Sequence, residues 1–311
     1  MPWTHYASTD ASAPVLSGTS DSLNAVLKAC LVDGYGTQPS AGWTSPHYDT
    51  TSKTRVFQNT NGFCAQIIDG GPGAGSFREA RIRGYESMSD YSVGVGPFPT
   101  PAQFANGEFI RKSLTLDATA RVWDVYADGT FFLLLVETGD AISNAMCAMF
   151  GRFAPDKLGD QWCQIIAARS VENSTSGGAE TVHVRTPMVA ATTPGIYIVR
   201  AVTGSQATGS VVAGLRTDSA LTGSSAHVSG SVGLAYPDDA TGGLRLERVY
   251  THEPNKPRGY IRGLWQPLHN RPLAHRASEV YTDGSVTRTL RAHNTVTGGQ
   301  ILVEESDTVD L

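Results

Sequence analysis

Eight histidines, a glycine-rich loop and pairs of adjacent carboxylates are the side chains of this 311-residue chain best equipped for chemistry. The loop Gly70-Gly71-Pro72-Gly73-Ala74-Gly75 has the glycine content of a phosphate cradle. It lacks the Lys-Ser/Thr pair with which a P-loop reaches phosphate and Mg²⁺. The residues that follow read as a strand, so no helix N-terminus faces an anion there. A turn between strands is expected. His269 and His275 are the histidines closest in sequence, with His5, His47, His183, His227, His252 and His293 scattered elsewhere. Even spacing on a strand would put both on one face, but Pro272 interrupts them, so hydrogen-bonding loop histidines are expected and no metal site. No G-x-S-x-G nucleophile elbow occurs, and the α/β alternation that carries one is missing. Asp238-Asp239 and Glu304-Glu305 are adjacent, so in extended chain each pair splits across two faces. These patterns assign no catalytic, cofactor-binding or metal-ligating residue.

The aromatic and aliphatic residues point to docking instead. Gly263-Leu264-Trp265-Gln266-Pro267-Leu268-His269-Asn270-Arg271-Pro272-Leu273 mixes large apolar residues with two prolines. Proline excludes a helix and disfavours a central strand. An extended segment is therefore expected, offering Leu264, Trp265, Leu268 and Leu273 to a partner surface. Trp43 lies in a Pro/Gly loop and is expected at the same kind of interface. Trp123 and Trp162 sit in apolar strands and are expected in the core.

These residues must be held by short strands. The one strong helix signal is Leu23, Val26, Leu27 and Cys30 at i, i+3, i+4, i+7, with Asp21 or Ser22 as cap and Gly34 as stop. After it come strand–turn–strand patterns. Asn61-Gly62 and Asp128-Gly129 are hairpin turns. Phe131 to Val136 is continuously apolar, the mark of a strand buried on both faces. The fold class expected is mainly β, in antiparallel sandwich- or barrel-like domains, with one short N-terminal helix and extended arms. Three regions are expected: an N-terminal arm, helix and β domain over 1–110, a central β domain over 111–255, and a proline-punctuated segment with a C-terminal hairpin over 256–311. Residues 1–20 read as a flexible or partner-ordered arm. The stretch from 170 to 243 is Ser/Thr/Gly-rich and reads as an exposed β region with long loops.

Charge narrows the partners. A net charge of −5 without a basic run argues against nucleic acid. The longest apolar run is far too short to span a bilayer as a helix, and the N-terminus does not read as a signal peptide. Cys30, Cys64, Cys147 and Cys163 fit no zinc spacing and are expected as free buried thiols, which points to synthesis in a reducing compartment. Only 17% of residues are charged, so much of the surface can be buried in an assembly with little ion desolvation.

Three blocks carry a resemblance. Ala25 to Gly36 with Pro39 and Ala41-Gly42-Trp43-Thr44, then Arg78 to Glu86, then Gly263 to Leu273, together resemble virion structural proteins of tailed bacteriophages. The resemblance runs across most of the chain and is weakest between about 170 and 245. It implies a particle component without settling tail, baseplate or head; with the low-charge, strand-rich chain, the role expected is a non-enzymatic subunit of the tail or baseplate, contacting other virion proteins and copies of itself in a symmetric assembly. Its location would be the virion, after synthesis in the host cytoplasm. It brings no catalytic residues with it. The alternatives are a capsid decoration or head–tail connector protein, and a receptor-binding protein whose partner is a host surface glycan.

Overall fold

The computed structural model describes residues 3–70, 78–139, 145–169, 194–204, 211–212, 214–217, 243–253, 256–269, 272–283, 286–294 and 300–305. The first strands are β1 (Thr4–Ala7), β2 (Thr44–Asp49), β3 (Thr54–Gln58), β4 (Cys64–Ile68), β5 (Glu79–Tyr85), β6 (Ser87–Asp90), β7 (Val93–Val95), β8 (Glu108–Arg111), β9 (Val122–Ala127), β10 (Phe131–Glu137) and β11 (Ala145–Arg152). There follow β12 (Ala154–Pro155), β13 (Gln164–Arg169), β14 (Pro194–Ile198), β15 (Val211–Val212), β16 (Gly214–Thr217), β17 (Leu246–Glu253), β18 (Lys256–Pro267), β19 (Ser278–Asp283), β20 (Val286–Asn294) and β21 (Gln300–Glu304). One helix, α1 (Ser22–Lys28), continues into a π-helical turn over Ala29–Asp33. The protein is mainly antiparallel β, as the sequence predicts.

A twelve-stranded sheet runs β1-β9-β10-β11-β13-β8-β5-β4-β3-β2, with β14 attached to β13 and β15 to β14. It curls until its far strands return to its near ones. The Thr60 N–H donates to the Gly129 carbonyl at 2.8 Å, tying the β3–β4 turn to the β9–β10 turn. Helix α1 fills the hollow: Leu23, Val26 and Leu27 pack in one core with Phe57, Ile67, Ile82, Phe132, Leu134 and Phe150. A seven-stranded sheet, β16-β17-β18-β21-β20-β19 with β12 on β18, covers the outer face of the first. Its Val249, Ile261, Leu264, Ile301 and Val303 meet Phe131, Leu133, Leu135, Met149 and Ile165 in a second core. Strand β10 therefore sends Phe132, Leu134 and Val136 inward and Phe131, Leu133 and Leu135 outward, all buried. Two-sided burial is the reason its sequence does not alternate.

The helix cap comes from an unexpected direction. Asp21 occupies the N-cap position at φ 68° and makes no side-chain cap bond. The carboxylate of Asp69, just past β4, accepts the Leu23 N–H at 2.8 Å instead. The buried ammonium of Lys112 neutralises that carboxylate. Burial pushes Asp69 up to about 6, against the pull of Lys112 and the helix N–H groups, and burial pushes Lys112 down. Gly34 closes the π turn at φ 77°, a conformation that favours glycine.

Several expectations are corrected. The arm expected over 1–20 is not free where it is described, from residue 3 on: β1 pairs with β9, and Trp3, Tyr6 and Leu16 are buried. Segment Lys256–Pro267 is not a loose extended arm but β18, hydrogen-bonded to β17 on one side and β21 on the other. Its prolines, Pro257 and Pro267, stand at the two ends, where a missing N–H costs little. The expected regional limits do not follow the sheets either, since β8 spans position 110 and β17 pairs with β18 across position 255. Residues 71–75 of the glycine loop and nearly all of 170–243, with the expected strand at 226–234, lie outside the described residues.

Candidate functional site

The residues expected at an interface divide between two faces of one strand. Neighbours on a strand point oppositely, so Leu264 faces the inter-sheet core, 1% exposed, while Trp265 faces outward and is half-buried. Trp265 and Leu273 come together against Leu290, Ala292 and Leu302 on the outer face of the smaller sheet, with Leu246 and Tyr281 beside them. Leu268 lies outside that cluster, half-buried, its N–H donating to the Arg245 carbonyl at 3.0 Å. Trp43 is corrected: it is 3% exposed in the first core against Phe132 and Phe150, and its indole N–H donates to the Asp128 carbonyl at 2.7 Å. A loop residue is drawn inward there because the curled sheet closes over it. The outer face also carries arginines stacked on aromatics. The Arg248 guanidinium lies 4.4 Å from the Tyr260 ring centre and 5.6 Å from that of Trp265, and Arg288 lies 5.7 Å from Trp265.

Three histidines meet where β1 joins the smaller sheet. His5 lies between two carboxylates, Nε2 2.9 Å from Asp124 and Nδ1 3.1 Å from Glu305. Both ring nitrogens can donate at once only in the imidazolium, so the two carboxylates favour that form. Burial alone would lower its pKa, but the hydrogen bonds to Asp124 and Glu305 reverse the sign and raise it. Arg276 reaches both Asp124, at 2.8 Å, and Glu137, at 3.2 Å. His275 accepts the Asn294 N–H on Nδ1 and so donates from Nε2 to Glu137 at 3.0 Å. His293 is fully buried, held neutral by that burial with its pKa pushed down to about 3, and bonded to the Tyr126 hydroxyl at 2.9 Å. His269 takes a separate partner, the Arg245 N–H. The junction is a closed set of matched charges, suited to clamping two sheets together.

A groove at the mouth of the curled sheet is built differently. Register pairs Arg152, at the end of β11, with Gln164, at the start of β13, and cross-strand partners share a face. Both line an open cavity of about 430 Å³ with Asn61, Phe63, Asp160 and Trp162. A second cavity of about 350 Å³ shares Asn61 and Arg152 and extends toward Asp128, Thr130 and Arg262. Three nearby arginines have carboxylates: Arg258 with Asp160 and Glu253, Arg262 with Asp128, and Arg200 with Glu86. Arg152 makes no side-chain hydrogen bond or ion pair among the described residues. Gln164 is fully buried, and its Oε1 accepts from Asn59 at 3.2 Å, while its Nε2 donor has no partner. Arg200 stacks 3.9 Å over Trp162 and fixes the indole at the rim.

Sequence reasoning missed this groove because Arg152 and Gln164 are joined only by strand register. The available signal was a charged residue terminating an otherwise apolar strand. No protein-family model and no curated protein matches the sequence. All four cysteines are buried and free, as expected.

Proposed function

We propose that the chain is a non-enzymatic structural subunit of a tailed-bacteriophage particle, of the tail or baseplate, working through protein–protein contacts in a symmetric assembly. The observation that carries this reading is the outer face of the smaller sheet. There Trp265, Tyr260, Tyr250 and Leu273 stand among Arg248 and Arg288 on long paired strands. Aromatics and arginines on a rigid support are what protein interfaces enrich, and a central Trp carries a large part of the binding energy. The resemblance of three sequence blocks to virion structural proteins supports the same reading. So does the body itself: two cores and a closed charge junction make a stiff unit whose faces can repeat in a lattice.

The test is a high-resolution reconstruction of the intact particle. The expected result is density for this chain in a symmetric ring or tube, with the Trp265 face against a neighbouring subunit. A particle that lacks the chain, or holds it with that face in solvent, contradicts the assignment.

A further inference from the structure

We propose that the groove holding Arg152 and Gln164 binds an acidic sugar, with the Arg152 guanidinium on the sugar carboxylate. The site goes beyond the structural role above and does not depend on it. Charge complementarity carries the choice of ligand. In a chain of net charge −5, every other arginine around the groove is matched to a carboxylate of the protein itself. Arg152 is left unmatched at the point shared by both cavities. A guanidinium fork recognises a carboxylate through two parallel hydrogen bonds.

The second observation is the orphaned amide beside it. A buried donor without a partner costs free energy unless a ligand or water completes it. Gln164 lines the cavity and is held through its Oε1 by Asn59, and its buried Nε2 is left without a partner that a ring or hydroxyl oxygen entering the cavity would supply. Asn61 is exposed on the opposite turn and adds an amide of both polarities. Phe63 and Trp162 line the cavity and supply apolar surface beside which a sugar's C–H groups can lie. The cavity volume, about 430 Å³, suits one or two sugar units. One cation, several amides and aromatic walls describe a sugar acid better than a phosphate, which would draw more than one positive charge.

The experiment is NMR titration of the full chain, following the Trp162 indole N–H, assigned with Trp162→Phe. The probes are glucuronate, galacturonate and N-acetylneuraminate, their methyl esters, and propionate. The expected result is a saturable shift with at least one sugar acid. Affinity should fall roughly tenfold or more for its methyl ester and for Arg152→Gln, the loss of one charge-assisted hydrogen-bonded contact. Arg152→Gln should melt with the wild type, because the side chain holds nothing else in place. The proposal is overturned if no sugar acid shifts the resonance, or if the ester or Arg152→Gln binds equally well. It is overturned equally if propionate matches the sugar acids, since the groove would then read a bare carboxylate such as a neighbouring subunit's side chain. Particle incorporation of Arg152→Gln should be normal if the groove binds a sugar acid, and a defect in incorporation would overturn the proposal by placing Arg152 in a subunit contact, which separates this site from the assembly role of the Trp265 face.

Discussion

Two clusters of charge in this molecule are solved in opposite ways. At the junction of β1 with the smaller sheet, His5, Arg276 and Arg291 face Asp124, Glu137 and Glu305, and each cation has a carboxylate within 3.4 Å. In the groove, the Arg152 guanidinium and the Gln164 Nε2 line a shared cavity without a protein partner among the described residues. The first cluster is what remains when all the chemistry of a site is used to hold a fold. The second has recognition chemistry to spare. Burial separates them further: Asp124 is almost wholly covered, whereas Arg152 reaches solvent. Matched charge marks structure, and unmatched charge at an open cavity marks a place for something else.

The sharpest way to break that contrast is to unmatch a matched pair. Lys112→Ala leaves Asp69 buried and uncompensated at the helix N-terminus, and should cost about 3–5 kcal/mol in urea unfolding. The double change Lys112→Met with Asp69→Leu should cost less than the single one, because no orphaned charge remains, although the helix cap is lost. A single change within 0.5 kcal/mol of wild type, about the scatter of neutral surface substitutions, would show that the pair is not what anchors the helix.

His5 offers a smaller effect with a sign in pH. Its folded pKa is raised, so its contribution is complete below the unfolded value of about 6.5 and fades as pH rises through the folded value. Asp124 and Glu305 are lowered. Burial opposes that direction in both, and the His5 hydrogen bonds overcome it, so their contribution fades instead as pH falls through the acid range. His293 works against His5: its folded pKa is depressed, so stability is lost as pH falls below about 6.5. Comparing His5→Gln with wild type isolates the one ring. The difference should be about 1–3 kcal/mol near pH 5.5, the worth of charged hydrogen bonds, and should shrink by about pH 9. A difference independent of pH would mean His5 is not an imidazolium.

Arg152→Gln should have the smallest effect of all, within about 0.5 kcal/mol of wild type at any pH. A loss above 1 kcal/mol, on the order of a typical buried contact, would place Arg152 among the structural arginines and erase the contrast between the two clusters.

Local signals in the sequence were read well where chemistry is local. Asn61-Gly62 and Asp128-Gly129 do connect antiparallel strands, and the apolar run of β10 is buried on both sides. Helix α1 follows its periodicity, though its cap arrives from Asp69, 46 residues from Leu23 and invisible to a local rule. Strand β18 departs from the expectation of an extended arm because Pro267 and Pro272 do not interrupt it. Pro267 is in fact the last residue of the strand and Pro272 lies beyond it. Trp3, Tyr6 and Leu16 are isolated among polar residues, with no period to show that they reach two different cores. The groove lay out of reach for the same reason. Its residues come from the β3–β4 turn, the end of β11 and the start of β13, and only sheet closure brings them together.

The proposed role as an assembly subunit rests on the Trp265 face, and one substitution addresses it. Particles grown with Trp265→Ala as the only source of this chain should lose it from purified virions, while the free variant keeps the wild-type near-UV spectrum and cooperative melting. Virions that carry the well-folded variant at the wild-type copy number would contradict that role for the face.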